Sequence, residues 1–304
     1  MAEIGALAAA SEHHKPARRG RWTPYLLLVP GLLWLVIFFV LPTLSLASQS
    51  LQTGSVDTGY TMTWNWQTYT EALSLYWPQF LRSLFYAGSA TVLALLAGYP
   101  LAYFMAQRAG KWKNLLLVAV IAPFFTSFLI RTLAWQIILN NDGIVSTVAR
   151  KIHFTDLLQF LHLTQTNQLM ASPFAVICGL TYNFLPFMIL PLYANLERLD
   201  ARLVEAAGDL YASPVQAFRR VIWPLSLPGV VAGTLLTFIP AAGDYINSRL
   251  LGSTQTVMIG QVIDGQFLQV LDYPTAAALS FLLMLTIVVL VALYVRRSGT
   301  EELV

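Results

Sequence analysis

Six stretches of this 304-residue chain, at about 25–48, 84–107, 115–139, 173–193, 224–246 and 274–295, are long, apolar and nearly free of charge. A hydrocarbon core about 30 Å thick is crossed by roughly 20 residues rising 1.5 Å each, and all six stretches meet that length. Lipid offers no hydrogen bonds, so such runs must satisfy their own backbone groups, which they do as helices. Composition agrees: 57% of the residues are hydrophobic and 11% charged, against about 25% charged in soluble domains. The expected fold class is therefore an all-α integral membrane protein with six transmembrane helices. No Pro/Gly/Ser-rich linker divides it. The sequence reads as one domain over 25–297, with a basic tail at 1–24 and a short tail at 298–304. Pro186, Pro191, Pro228 and Pro240 are expected to kink or interrupt the fourth and fifth spans. The first stretch also has features of a secretory signal, with Ser45-Leu46-Ala47 as a cleavage site. Its apolar run is about twice the usual signal core, which favours a retained span.

Short loops rich in Lys and Arg stay on the cytoplasmic side. With the N-terminus inside, thirteen of the eighteen cationic side chains fall there, from Lys15 through Arg108, Arg198 and Arg220 to Arg297. Arg82, Arg131, Arg150, Lys151 and Arg249 lie toward the outside. Both termini are thus expected to be cytoplasmic. A formal charge of +3, distributed this way, lacks the clustered basic face of a nucleic-acid binder. Membrane lipid is the expected surrounding, with no nucleic-acid partner. The only cysteine, Cys178, excludes an intrachain disulfide and reads as packing.

Between spans four and five, residues 195–222 are charged and helix-forming. Arg198, Arg202, Glu205 and Asp209 share one helical face with opposite charges adjacent, and Leu199, Leu203, Ala206 and Leu210 repeat the spacing beside them. Ser213-Pro214 then reads as the N-cap and first residue of a second helix. Periodicity alone leaves two readings open: a helix on lipid headgroups, or one docked in a protein groove. Glu205 and Asp209 favour the groove, because headgroup binders present mainly Lys and Arg.

Glu205-Ala206-Ala207, followed by Leu210, Ala212, Phe218, Val221, Pro224-Leu225 and Pro228-Gly229, resembles the EAA loop of ABC-importer permeases. The resemblance implies a MetI-like permease core over 25–297 in a prokaryotic inner membrane. It also implies a coupling helix seated in a cleft of an ATPase subunit, with Arg202, Glu205, Ala206, Ala207, Asp209, Ala212 and Ser213 as the ATPase-coupling residues. The implied partners are ATPase subunits that bind ATP and Mg, a second homologous permease chain, and an extracytoplasmic substrate-binding protein. Where the family pattern has glycine, this chain has Tyr211, which enters a left-handed bend less readily. The turn is therefore expected to be made differently, with Ser213-Pro214 as the candidate. Ser127–Trp135, Asn183–Tyr193 with Leu196–Asp200, and Gly243-Asp244-Tyr245 with Leu250-Leu251-Gly252 are similar to permeases of the spermidine/putrescine type. Importers of opines, ferric iron and other solutes share parts of these stretches.

No G-x-x-x-x-G-K-[ST] run occurs, so no ATP site of that kind, no cofactor and no enzyme activity are expected in this chain. A secondary transporter would be expected to show inverted repeats, and none is evident. A non-transporting scaffold would leave the mixed-charge segment unexplained.

Thr234, Thr237, Ala241 and Asp244 are spaced to share one face of span five. A carboxylate at membrane depth is costly unless it meets water or a partner, so Asp244 is a functional candidate. The resemblance implies a place near the outer end of the path, where it attracts a polyamine ammonium group; the alternatives are a structural pair with Arg131 or a plain helix-end carboxylate. With Thr237, the translocation-path candidates are Trp135, Tyr182, Asn183, Asp244 and Tyr245. Aromatic faces hold alkylammonium groups by cation–π attraction, and the same residues serve equally as packing or interface anchors. Arg131 is awkward for a carrier of cations. It can act as a gate, pair with Asp142 or Asp244, or snorkel outward. In the outer loop, Leu157–Leu163 suggests a short amphipathic helix beside His153 and His162, which read as surface groups without a metal.

Overall fold

The computed structural model describes residues 23–161, 163–164 and 168–297. The expected tails lie outside these residues except for Thr23 and Pro24, and His162 lies outside them too. The chain separates into two units, 1–48 and 49–304. In the first, α1 (Thr23–Leu35) continues through a π-helical turn at Val36–Val40 into α2 (Leu41–Ser50). Every side chain from Leu27 to Val40 is exposed and none is charged. Such a helix is suited to lipid or to another chain.

Three long helices form the centre of the second unit: α3 (Gln67–Gln107), α8 (Pro173–Glu197) and α11 (Trp223–Ala242). They pack on one another, and α14 (Tyr273–Arg297) lies against α3. Between apolar helices in lipid, close packing replaces the hydrophobic drive, which favours small residues at the contacts. Ala87, Ala90, Ala94 and Ala102 of α3 are accordingly fully buried. On α11, a Cβ at Gly233 would stand 2.8 Å from Met188 Sδ and 3.0 Å from the Met188 carbonyl oxygen, so only glycine permits this approach to α8.

Five helices are long and apolar enough to cross a membrane, and a sixth span results if one bent pair is counted as a unit. That pair corrects the expectation of a continuous helix over 115–139. The chain runs through α4 (Lys113–Ile121) and a 3₁₀ turn at Ala122–Phe125, then breaks before α5 (Phe128–Leu139), with a 96° change of direction. Pro123 lies in the turn, and Thr126 and Ser127 take ψ values of 146° and 138° that no α-helix continues through.

The second span begins at Gln67 rather than near 84, as part of a 41-residue helix. The fifth is shifted at both ends. α10 (Pro214–Ala217) passes through a π-helical turn at Phe218–Ile222 into α11, making one 29-residue helix that ends at Ala242, short of the expected 246. Beyond it lie α12 (Ile246–Leu251) and α13 (Ile259–Gly265). The outer loop holds α6 (Ile144–Lys151) and α7 (Phe154–Phe160), and α9 (Ala201–Asp209) follows α8. An unanticipated antiparallel hairpin, β1 (Gln52–Ser55) with β2 (Gly59–Met62), is the only strand pairing among the described residues. Its turn is closed by the Ser55 and Thr58 hydroxyls, 3.0 Å apart.

Candidate functional site

Two regions of the second unit carry organised polar chemistry. The first is the segment between α8 and α11. Its root is fixed by Gln107 Nε2, which donates to the Leu196 carbonyl at 2.9 Å, and by an ion pair between Lys113 and Glu197. Asp200 caps α9 by accepting from the Arg202 backbone N–H at 2.9 Å. Arg198 and Leu199 therefore precede α9 instead of extending its charged and apolar faces. The helix ends with Tyr211 at φ +59°. The Ala212 N–H reaches the Ala207 carbonyl and the Tyr211 N–H reaches that of Gly208, at 3.0 and 2.9 Å. These two bonds make a Schellman ending.

The left-handed bend thus falls on Tyr211 itself, which corrects the expectation that tyrosine would displace it. Ser213 has a different task. Its hydroxyl accepts from the Gln216 N–H while Gln216 Oε1 accepts from the Ser213 N–H, a capping box that starts α10.

Arg202, Glu205, Ala206, Asp209 and Ser213 are exposed, with Ala207 and Ala212 half-buried. The apolar side chains divide. Leu199, Val204 and Phe218 pack on the core, whereas Leu210, Val215 and Tyr211 stand out, Tyr211 at 97% exposure. The outcome is a short, rigidly capped ledge that presents both carboxylates and uncovered apolar groups.

The second region is a buried polar network where α5, α8 and α12 meet. Asn183 of α8 donates through Nδ2 to Thr132 Oγ1 at 3.1 Å and to Asn247 Oδ1 at 3.0 Å. The Asn247 backbone N–H donates to Asp244 Oδ1 at 2.8 Å. Thr132 and Asn247 are fully buried and Asn183 nearly so. Gly179, one turn before Asn183, makes room for this contact: a Cβ there would lie 2.4 Å from Leu251 Cδ1 and 2.7 Å from Asn247 Oδ1. Among the described residues, Asn183 Oδ1, Asn247 Nδ2 and Thr237 Oγ1 are buried without a hydrogen-bond partner. Beyond the network, Ser248 accepts from the Met258 N–H at 3.0 Å and Ser83 from the Ile259 N–H at 2.7 Å, holding α12 and α13 to α3.

The path candidates are only partly gathered here. Asn183 and Asp244 belong to the network, while Trp135 and Tyr182 form a separate edge-on pair with ring centroids 5.6 Å apart. Tyr245 is 40% exposed. The expected polar face of span five does not form, because the helix stops before Asp244, which instead caps the turn into α12. Arg131 makes no ion pair with Asp142 or Asp244, and its guanidinium lies over the Phe124 and Phe128 rings.

Thr132 and Asn247 were not singled out in the sequence. Both lie within or beside stretches notable for their resemblance, yet nothing local marks a Thr or Asn as a long-range partner. His153 Nδ1 is 2.8 Å from Asp156 Oδ2, so a carboxylate does stand beside it. Among the described residues, no group of three or more His, Cys, Asp or Glu side chains is arranged to hold a metal.

The pattern of the family described as binding-protein-dependent transport system inner membrane component matches residues 98–297. The spermidine/putrescine transport system permease protein PotB of Escherichia coli (strain K12) is 39% identical over 267 residues, covering 87% of this chain and 94% of that protein. The protein of the same name from Haemophilus influenzae is 37% identical over 266 residues, covering 87% and 90%. In structure, the chain is similar to one from a bacterial ABC transporter involved in the import of the acidic polysaccharide alginate. That match has a TM-score of 0.62 and 17% identity and covers 92% of this chain and 96% of the other, a likeness of fold. With the family pattern spanning most of the helical core and relatives this similar over nearly nine tenths of its length, the chain belongs to the binding-protein-dependent transport system inner membrane components.

Proposed function

We propose that this protein is the membrane-spanning permease subunit of an ATP-driven importer of polyamines of the spermidine/putrescine class. The observation that carries the mechanism is the continuity of α10 with α11. A partner that pushes on the exposed ledge of α9 and α10 acts directly on a single 29-residue helix. The relatives named for spermidine and putrescine support the substrate class.

In this reading six spans cross the membrane, the bent pair of α4 and α5 counting as the third, and both termini and the ledge face the cytoplasm. The segment 195–222 is the coupling element of a permease domain over 25–297. ATP and Mg are bound by separate ATPase subunits, in whose cleft Arg202, Glu205, Ala206, Ala207, Asp209, Ala212 and Ser213 sit. A second permease chain completes the pathway, and a substrate-binding protein delivers cargo from outside. Of the path residues, Trp135, Tyr182 and Tyr245 have the surface to face the path, and Asn183, Thr237 and Asp244, which are buried, support it from behind.

In this reading the ledge acts by contact. Its carboxylates and apolar groups supply a docking face, and its caps keep that face from fraying under load. Glu205→Lys reverses one exposed charge without touching the core. It is expected to weaken ATPase pull-down and to abolish ATP-driven spermidine uptake in reconstituted vesicles. Unchanged assembly and uptake would overturn the coupling assignment.

A further inference from the structure

Arg131 lies in the first turn of α5, just past the break in the third span. It is 8% exposed, and its Cζ is 5.8 Å from the Phe124 ring centroid and 5.6 Å from that of Phe128. Among the described residues its Nε and Nη1 are buried without a hydrogen-bond partner, and none of the three ion pairs includes it. Arginine cannot escape by losing its proton, and a cation withdrawn from water without a counter-charge is strongly penalised. What faces it is aromatic. Phe128 packs on Phe184 and Phe124 on Phe187, with centroids 5.9 and 5.1 Å apart, so the two rings are braced by α8. Phe124 remains 37% exposed, leaving this seat open at its edge.

We propose that Arg131 is a tethered plug: its guanidinium occupies the Phe124–Phe128 aromatic seat in the resting protein, and the ammonium groups of the cargo displace it during passage. This rests on the polyamine reading above. A ring face that attracts guanidinium attracts alkylammonium by the same quadrupole interaction, and two cations do not share one seat. No hydrogen bond to Nε or Nη1 has to break when the side chain leaves. The extended Thr126 and Ser127 beside it interrupt the helix that would otherwise fix the two rings and the arginine in one rod. While seated, the arginine also repels other small cations, so the same side chain seals the resting pathway.

The test uses the complete importer carrying this chain, reconstituted in liposomes, with leak of tetramethylammonium measured without ATP or cargo. That probe stays charged and crosses lipid poorly. Arg131→Gln is expected to raise the leak about tenfold, and Arg131→Lys, which keeps a cation on the rings, to stay within about twofold of the wild type. Phe124→Leu removes half of the seat while leaving the arginine, and is expected to leak at an intermediate rate. Equal tightness of wild type, Arg131→Gln and Phe124→Leu overturns the plug. So does an Arg131→Gln complex that fails to assemble, which would make the arginine an interface counter-ion. Absence of ATP-driven spermidine uptake by the wild type defeats the polyamine reading and with it displacement by cargo ammonium groups, while the seal stands or falls on the leak comparison, which involves no polyamine.

Discussion

The 29-residue helix formed by α10 and α11 is shaped by opposite means at its two ends. At the α9–α10 end the bonds are local: Asp200 to Arg202, Tyr211 to Gly208, Ser213 to Gln216. Beyond Ala242 the local cap of Asn247 by Asp244 is joined by distant bonds, with Asn183 reaching Thr132 across 51 positions and Asn247 across 64. A face that is to be covered by another molecule must hold its shape without help and keep its side chains free. A buried junction must instead draw its partners from whatever segments reach it, and here Asn183 Oδ1, Asn247 Nδ2 and Thr237 Oγ1 still lack one among the described residues. The comparison predicts that changes at the junction unsettle several helices together, whereas changes at the ledge stay within a few residues.

The largest effect is expected from Gly179→Val at the junction. The added atoms meet Leu251 and Asn247, both fully buried, so α12 must withdraw from α8. The expected destabilisation is about 3 kcal/mol, the upper part of the usual range for overpacking. It should appear as a lower thermal midpoint of the purified protein and as faster hydrogen exchange in both α8 and α12. Faster exchange in α8 alone would mean that α12 does not depend on this contact.

Asn183→Leu conserves approximate size but removes the amide that joins α5, α8 and α12. Thr132 Oγ1 and Asn247 Oδ1 then lose their shared donor, for an expected loss of about 2 kcal/mol. Exchange should quicken at the ends of α5 and α12 together. An effect confined to α8 would show that the three helices are held by packing rather than by this network.

These residues also mark how far the sequence was legible. Apolar length is enough to find the five helices long enough to cross a membrane and the bent pair, though not their ends, because lipid demands that length wherever the helices pack. The ledge was readable in outline because its capping residues act on neighbours two or three positions away: Ser213-Pro214 announces α10 without reference to the rest of the chain. The break before α5 was not read, since Pro123, Thr126 and Ser127 lie inside a run whose hydropathy suits a straight span. Spacing puts Asp244 on a helix, but spacing does not reveal that Gly243 ends the helix first. Thr132 and Asn247 acquire their meaning only after the fold has brought α5, α8 and α12 together.

At the ledge, Ser213→Ala removes the hydroxyl that caps α10. A lost cap costs about 1 kcal/mol, or roughly fivefold in the local opening equilibrium. Amides near Gln216 should exchange faster by that factor, while those of Asn247 and Leu251 stay unchanged. Propagation into α12 would contradict the separation between the two ends.

Tyr211→Gly gives the smallest and most informative change. A non-glycine residue in the left-handed region is disfavoured by about 1–2 kcal/mol, while glycine adds about 0.4–1 kcal/mol of unfolded-chain freedom that folding must remove. The difference leaves a gain of about 0.5 kcal/mol for the variant. A bend that glycine would make at lower cost carries instead a tyrosine at 97% exposure, and among the described residues its ring makes no hydrogen bond or ring contact. If the ring contacts the ATPase, Tyr211→Gly will exchange more slowly around Gly208 yet pull down less ATPase and support slower uptake. A variant that is both steadier and fully active would show that the ledge needs only its shape, and would remove Tyr211 from the docking face.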